Sequence, residues 1–527
     1  MKVLIADKMD AEAAAIFDRR DVKYDIKPGL DEAGLIAIVG DYDGIAARSS
    51  ARITAPVIKA ATRLKVIGRA GIGVDTIDVP AATAAGVVVM NTPFGNSITT
   101  AEHAIAMMFA LARQIPQANQ STHEGKWEKS KFMGVELYGK TLSVIGCGNI
   151  GSIVANRALG LQMKVVAYDP FLTDEKATEL GVEKVDLETA LKLGDFITLH
   201  VPKTESTSNM IDAKAIATMK KGVRIINCAR GGLIVETDLL DALNSGQVAG
   251  AALDVFSVEP ATDNPLFGHP NVVCTPHLGA STSEAQHNVA VQIAEQMSDF
   301  LLLGAVCNAV NMPAISAEEA PRLRPYLALA DKLGALLGQI VTDDVSTLEI
   351  EFLGQAGEVS TRPLVNMALA SYLRSQSDAV NMVNAREMAK ARDLKVSETV
   401  TANPRDWQSG IRITATGKTG VNEVTGSLFG GQPRLVMLQG VPVEAALEGD
   451  MLYLRNQDKP GTVGAVGSLL GEAGVNIADF RLGRTPDMKE AVCLVNADSP
   501  VSDEVLAKIQ TLPQVLKARR LHFGNAA

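Results

Sequence analysis

Three stretches of this chain run from an aliphatic, strand-like segment into a polar turn, and each turn carries a residue able to do chemistry. They are Arg230 in VRIINCARGG, Glu259 in GAALDVFSVEP and His277 in NVVCTPHLGAST. In open α/β sheets ligands bind just beyond the carboxyl ends of the strands, so all three are expected to project into one crevice. An arginine, an acid and a histidine suit the oxidation of a 2-hydroxy acid. The planar guanidinium grips a carboxylate and polarises the C2 oxygen. The imidazole takes the hydroxyl proton as hydride leaves and returns it in reverse. A neighbouring carboxylate orients the imidazole and raises its pKa. Gly231-Gly232 marks a constrained turn beside Arg230. The other histidines, at 103, 123, 200, 269, 287 and 522, read as structural, with His200 the one expected near a cofactor.

A departing hydride needs an acceptor. TLSVIG reads as a buried strand, GCGNIG as a turn, NIGSIVANRALGL as a helix and MKVVAYD as the next strand, ending in Asp169. The glycines Gly146, Gly148 and Gly151 alone are a weak signal. Between a strand and a helix, with an acid about twenty residues on, they complete a dinucleotide fingerprint. The glycines allow the tight turn, close approach to a pyrophosphate and helix–strand packing. Asp169 accepts hydrogen bonds from the adenosine ribose and repels a 2′-phosphate, so the expected cofactor is NAD. Cys147 and Cys228 lie nearby and read as small packing residues.

Aliphatic strands alternating with helices must position these groups. Val3–Ala6, Val66–Ile67 and Val87–Met90 read as strands between alanine-rich helices, which implies a parallel, doubly wound sheet. Thr99–Arg113 reads as a helix connecting two lobes, and Pro116–Tyr138 as a long polar excursion that packs on a partner subunit or an active site. EAQHNVAVQIAEQMSDFLLLG, after Ser283, is expected to return the chain to the first lobe. The expected organisation is a flavodoxin-like substrate lobe (1–98 and 286–308) and a Rossmann NAD domain (99–285). A linker (309–325), an α+β intervening domain (325–450) and a ferredoxin-like unit (451–527) follow.

Composition agrees with an α/β enzyme and removes other classes. Hydrophobic residues at 47% and charged residues at 21% suit a soluble chain with a large core, and aromatics at 4% leave the packing to aliphatic side chains. A net charge of −10 argues against a nucleic-acid surface. No apolar run reaches membrane-span length. MKVLIADKMD reads as a strand and not as a signal peptide. Five cysteines without ligand spacing or even pairing read as free thiols in a reducing cytoplasm.

GCGNIG, INCARGGLI, ALDVFSVEP and TPHLGAST resemble the signature motifs of the D-isomer-specific 2-hydroxyacid dehydrogenases. ARSS (47–50), GRAGIGVD (68–75), NTPFGNS (91–97) and GKWEKSKFMG (125–134) are similar to the phosphoglycerate dehydrogenase branch. The resemblance implies Arg230, Glu259 and His277 as the catalytic set, with no metal. It implies Asn149 and Ile150 on the pyrophosphate side, and Val201, Cys228, Ala229, Arg230 and Asp254 around the cofactor. His277, Gly279 and Ala280 complete that set. For 3-phosphoglycerate, a doubly anionic substrate, it implies Arg48 and Arg69 beside Arg230. Gly71, Ile72 and Gly73 would offer a nest of backbone N–H groups. Lys126, Lys129 and Lys131 are further candidates, reaching across a homodimer or homotetramer interface.

The C-terminal pattern β-α-β-β-α-β makes a ferredoxin-like unit. DKPG (458–461) and GVNI (474–477) resemble the ACT module, which commonly binds amino acids between paired domains. Asn456, Asp458 and Asn476 are therefore the candidate contacts of an effector, expected to be L-serine. Two other functions remain open from sequence: a glyoxylate or hydroxypyruvate reductase, which usually lacks the extension, and a non-enzymatic NAD-binding corepressor.

Overall fold

The computed structural model describes residues 1–315, 319–341, 344–377, 379–402, 408–418 and 420–524. Its first sheet is wholly parallel, with the strands ordered Lys23–Ile26, Lys2–Ile5, Gly44–Ala47, Val66–Arg69 and Val88–Asn91. This is the flavodoxin-like order. Helices cover both faces for simple reasons of pattern. In Ala11–Arg19, Asp10 caps the first turn by accepting from Glu12 N–H, and Ala13, Ile16 and Phe17 fall on one buried stripe.

The second sheet has seven parallel strands. Thr141–Ile145 lies at its switch point, between Phe196–Leu199 on one side and Lys164–Tyr168 on the other. Beyond Phe196–Leu199 come Val223–Asn227, Val248–Leu253 and Val272–Cys274. Two long helices join the lobes, Ser97–Arg113 and Ser283–Leu303. The second of these packs under the first sheet, where Gly68 leaves room for Met297.

Two sequence expectations need correction. The excursion Pro116–Tyr138 is not all loop: Ile115–His123 is helical and Lys129–Lys131 makes a 3₁₀ turn. Gln114, left-handed at φ 52°, breaks the preceding helix, and Pro116 starts the new one. Within the expected linker 309–325, residues 309–311 do not run free either. Val310 N–H donates to Val89 O, and the Asn311 side chain accepts from Val89 N–H and donates to Val87 O. It thereby covers the open edge of the first sheet. A helix then begins at Ala320 and runs to Ile340 with Pro325 inside it.

That helix packs against Thr361–Arg374 and a six-stranded mixed sheet that spans Val345–Ala445. The last sheet is antiparallel, ordered Ile477–Arg484, Glu490–Ala497, Gly449–Gln457, Val515–Phe523, with two helices on one face. This is the βαββαβ arrangement of the ACT fold. Its other face joins an apolar core that continues through the intervening domain to the first lobe. No helix among the described residues is long and apolar enough to cross a membrane.

Candidate active site

The carboxyl ends of both parallel sheets turn toward each other, and contacts between the lobes define a crevice. Asn149, after the glycine turn, donates across the lobes to Pro93 O at 3.4 Å, while within the second lobe Thr100 donates to Gly279 O at 2.9 Å. Arg230 Nε meets Asp75 Oδ2 at 3.1 Å, a bond that reaches from the second lobe to the first.

His277 and Glu259 stand in direct contact, Nδ1 to Oε2 at 2.7 Å. The second Glu259 oxygen accepts from Phe256 N–H at 2.9 Å, which holds the carboxylate against its own turn. The hydrogen bond to Glu259 raises the His277 pKa, against the opposing effect of burial. Burial alone would raise the Glu259 pKa, but the hydrogen bonds from His277 and Phe256 N–H outweigh it and the net direction is down. The His277 backbone is left-handed at φ 56°, an uncommon conformation for a side-chain-bearing residue. Its N–H donates to Asp254 O and Thr275 O, which fixes the turn.

Asp254, expected beside the nicotinamide, is fully buried beneath this loop. Its Oδ1 accepts from Thr275 Oγ1 at 2.6 Å and Leu278 N–H at 2.7 Å, and its Oδ2 from Gly279 N–H at 2.8 Å. His103 Nε2, on the inter-lobe helix, lies 3.2 Å from Oδ1. Burial works against the Asp254 charge, and the bonds from His103, Thr275 and Leu278 N–H overcome it, so the pKa is lowered. Asp254 therefore shapes the segment that carries His277, Gly279 and Ala280. Neither it nor His103 stands out in sequence as part of this network, because the link becomes apparent only when the inter-lobe helix docks.

The Arg230 turn has a similar support. Asn227, buried at the strand end, donates to Arg230 O and accepts from Ala229 N–H. Cys228 is buried, and Arg230 Nη1 donates to Ala229 O at 2.7 Å. Across the lobes, a Cβ on Gly73 would lie 1.8 Å from Arg230 Nη2, so only glycine lets the guanidinium in. Arg69 joins it: burial lowers its pKa to about 10, opposed by Asp7, while the nearby cations of Arg230 and Arg48 add to the lowering. Arg69 stays charged near neutral pH, and its buried Nε has no hydrogen-bond partner among the described residues. Arg48 is placed by its backbone N–H on Asp7 Oδ2 at 2.6 Å.

The expected nest is only partly available. Gly71 N–H is already bound to Arg69 O, and Asn91 holds Ile72 O, leaving the N–H groups of Ile72 and Gly73 without an acceptor among the described residues. Lys126 and Lys131 pair with Glu124 and Glu128 in their own segment.

The dinucleotide site has the form its chemistry needs. Gly146 is left-handed at φ 93°, and a side chain there would strike His200 O. A Cβ on Gly151 would lie 1.9 Å from Gly146 O, whereas one on Gly148 would meet nothing within 4 Å. Gly148 therefore faces the open space before the helix Asn149–Gly160, where an N-terminus favours phosphate. Ile150 is half-buried in that first turn, and Val201 packs over Gly146. Asp169 accepts from Cys147 N–H and Phe171 N–H, both at 2.8 Å. Burial pushes the Cys147 thiol up to about 11 and also raises Cys228, consistent with packing rather than thiolate chemistry. Burial lowers His200 to about 4, so its imidazole is neutral. These residues fit NAD: a glycine turn at a helix N-terminus with an acid at the next strand end.

Two doubly wound lobes that bring an arginine and a carboxylate–imidazole pair to one crevice define a D-2-hydroxyacid dehydrogenase. Residues 105–279 match the NAD binding domain of the D-isomer specific 2-hydroxyacid dehydrogenases, 322–439 the D-3-phosphoglycerate dehydrogenase intervening domain, and 451–514 the ACT domain. The D-3-phosphoglycerate dehydrogenase of Synechocystis sp. is 45% identical over 511 residues, covering 96% of this chain and 92% of that one. That of Bacillus subtilis is 38% identical over 526 residues, covering 98% and 99%. The chain belongs to the D-3-phosphoglycerate dehydrogenase family. Among solved structures, a glyoxylate reductase from Paecilomyes thermophila is 30% identical with a TM-score of 0.55, covering 59% of this chain and 97% of that one. The D-lactate dehydrogenase of Escherichia coli is 28% identical with a TM-score of 0.52, covering 59% and 100%.

In the ACT unit the candidate effector residues separate. Asp458 pairs with Arg484 at 3.2 Å, and Asn456 is buried, its amide donating to Gln457 O. Asn476 donates to Asp498 Oδ2 at 2.6 Å at the other end of the sheet, since Asn456 registers with Ala491 and Ile477 with Ala497. Six strand residues at ~3.3 Å each put the two groups about 20 Å apart. One domain alone cannot bring them to one ligand.

Proposed function

We propose that this chain oxidises 3-phospho-D-glycerate to 3-phosphohydroxypyruvate with NAD, the first step of the phosphorylated route to L-serine. The observation that carries this reading is likeness across nearly the full length to D-3-phosphoglycerate dehydrogenases, where the glyoxylate reductase match covers 59% of the chain. Bound NAD supplies the hydride acceptor. Arg230 holds the substrate carboxylate and polarises the C2 oxygen. Asp75 keeps the guanidinium directed into the crevice until substrate arrives. His277 accepts the C2 hydroxyl proton at Nε2, and Glu259 at Nδ1 stabilises the imidazolium that forms. Arg69 and Arg48 compensate the phosphate charge, with the N–H groups of Ile72 and Gly73 beside them.

The enzyme acts in the cytoplasm as a homodimer or homotetramer. Trp127, at 88% exposure, and Met133, at 79%, offer apolar surface on the excursion for a second subunit. L-Serine binds between paired ACT domains, with Asn456 and Asp458 from one and Asn476 from the other. The test of the reaction is NADH formation from 3-phospho-D-glycerate, compared with NADH consumption on hydroxypyruvate and glyoxylate. Faster turnover of the latter pair would replace this reading with a reductase.

A further inference from the structure

Glu259 stands in a stretch, residues 254–271, that joins the strands Val248–Leu253 and Val272–Cys274 without a helix or strand of its own. Long connections of this kind inside a compact domain belong to functional loops. The neighbouring Val258 is 75% exposed, yet Glu259 meets His277 Nδ1 at 2.7 Å. Among the described residues the backbone N–H groups of 257–263 find no backbone acceptor. The loop that carries a catalytic carboxylate is therefore held by side chains.

Glu236 reaches it from the turn that carries Arg230. One Glu236 oxygen accepts from Ser257 N–H at 2.7 Å and from Ser257 Oγ at 2.6 Å, and the other accepts from Asn264 Nδ2 at 2.8 Å. Ser257 and Asn264 bracket Glu259, so one carboxylate closes the span 257–264 into a ring. Just outside the ring Phe256 and Leu266 are buried in the core of the second lobe. Asn264 is locked in turn, because its Oδ1 accepts from Leu266 N–H at 3.0 Å. Glu236 is itself well fixed. It opens the helix Glu236–Ser245, where the helix dipole favours an acid, and the preceding Val235 N–H donates to Ile211 O at 3.0 Å. The two turns also interlock, since a Cβ on Gly231 would lie 1.7 Å from Phe256 O.

We propose that Glu236 is a positioning residue for proton transfer, clasping the loop so that Glu259 meets the imidazole of His277 in a single geometry. This deepens the reaction proposed above and rests on it, because it takes His277 as the base and Glu259 as its partner. The hydrogen bonds of Glu236 go to Ser257 and Asn264 and not to that pair. It acts by removing the conformational freedom of the span between its two anchors. Unclasped, Glu259 would spend only part of its time on Nδ1. The same clasp ties the Glu259 loop to the Arg230 turn, which keeps the group that holds substrate in register with the pair that moves the proton.

The test uses the full chain with NAD and 3-phospho-D-glycerate. It compares Glu236→Ala, Glu236→Gln, Glu259→Gln and the combination of Glu236→Ala with Glu259→Gln. Glutamine at 236 keeps Ser257 through its carbonyl, but its NH₂ then faces the Asn264 NH₂, which cannot turn away without leaving Leu266 N–H. This undoes half the clasp at constant volume, and it carries the test if the alanine variant does not fold. Glu236→Ala is expected to lower kcat ~10–10²-fold, the scale of a misplaced catalytic group, with KM and NADH binding little changed. Glu236→Gln is expected to fall between. The bond from Glu259 raises the His277 pKa, so the acidic limb of the oxidation profile moves to lower pH in both. Hydrogen exchange of residues 256–267 speeds up, and that of 146–160 does not. On the Glu259→Gln background Glu236→Ala costs little more, since residues that act through one contact are not additive. The inference is overturned if exchange of 256–267 is unmoved, or if the losses add in full in the double variant. It is equally overturned if kcat and the acidic limb of the Glu236 variants stay in place while Glu259→Gln shifts its own. Normal turnover by Glu259→Gln would instead remove the proton-transfer reading, and the positioning role with it.

Discussion

Replacing Glu259 by glutamine changes one atom from an acceptor to a donor at the centre of the site. Glu259 now accepts from Phe256 N–H with Oε1 and meets His277 Nδ1 with Oε2. Glutamine cannot do both. If its carbonyl stays on Phe256 N–H, its NH₂ faces Nδ1 and forces the imidazole proton onto Nε2, the atom that must accept a proton from substrate. If it flips, Phe256 N–H loses its acceptor in a half-buried turn, at a cost of ~1–3 kcal/mol. A general base in the wrong tautomer loses most of its contribution, so kcat/KM for oxidation is expected to fall ~10²–10⁴-fold. The residual activity carries a second signature. Glu259 raises the His277 pKa, and oxidation needs the neutral imidazole, so the acidic limb of the rate profile moves to lower pH in the variant. In the reductive direction the protonated form is required, and activity is lost from a lower pH as pH rises. Measuring kcat/KM against pH in both directions, with NADH binding followed by fluorescence, checks each statement. Turnover within a few-fold of wild type and an unmoved acidic limb would refute the pairing as the source of His277 basicity.

His277→Ala is expected to lower kcat ~10²–10⁴-fold while NADH titrations remain unchanged; near-normal turnover would remove His277 from proton transfer. Asp169→Ala is expected to erode the preference for NAD over NADP, read as the ratio of kcat/KM values, and an unaltered ratio would assign that choice elsewhere. Calorimetric titration with L-serine is expected to show binding that Asn476→Ala abolishes, with a coupling to catalysis of ~1–3 kcal/mol. Absence of heat at millimolar serine would leave the ACT unit without that effector.

The glycine turn, Asp169 and the Arg230, Glu259 and His277 segments were legible because each ends a buried aliphatic strand, and parallel sheets gather such ends on one side. Supporting groups were harder to read. His103 and Thr100 act through contacts made when distant elements dock, and nothing in their own neighbourhood sets them apart; the Asn227 side chain bonds only within its own turn, where an asparagine at a strand end does not announce that role. Asp75 sat within GRAGIGVD, yet its bond to Arg230 joins residues 155 positions apart. The helix Ile115–His123 was hidden by its polar composition, although Pro116 was a local clue. The edge-covering role of Val310 and Asn311 depends on Asn311 satisfying Val87 and Val89 together, which a strand pattern does not reveal.

The continuous core that unites the first lobe with the intervening domain has a bearing on how the polypeptide is made. The second lobe has its own apolar clusters and is inserted between two parts of its host, because Ile293 and Met297 complete the core begun by Val3, Ile5 and Val66. A ribosome adding about 5–20 residues per second delivers the first sheet tens of seconds before the helix Ser283–Leu303 that seals it. The inserted lobe can collapse on emergence, while the earlier-made sheet stays open on one face. Such a nascent chain is expected to expose one face of its first sheet until the helix Ser283–Leu303 emerges, and to complete the inserted lobe before the host lobe that was translated first.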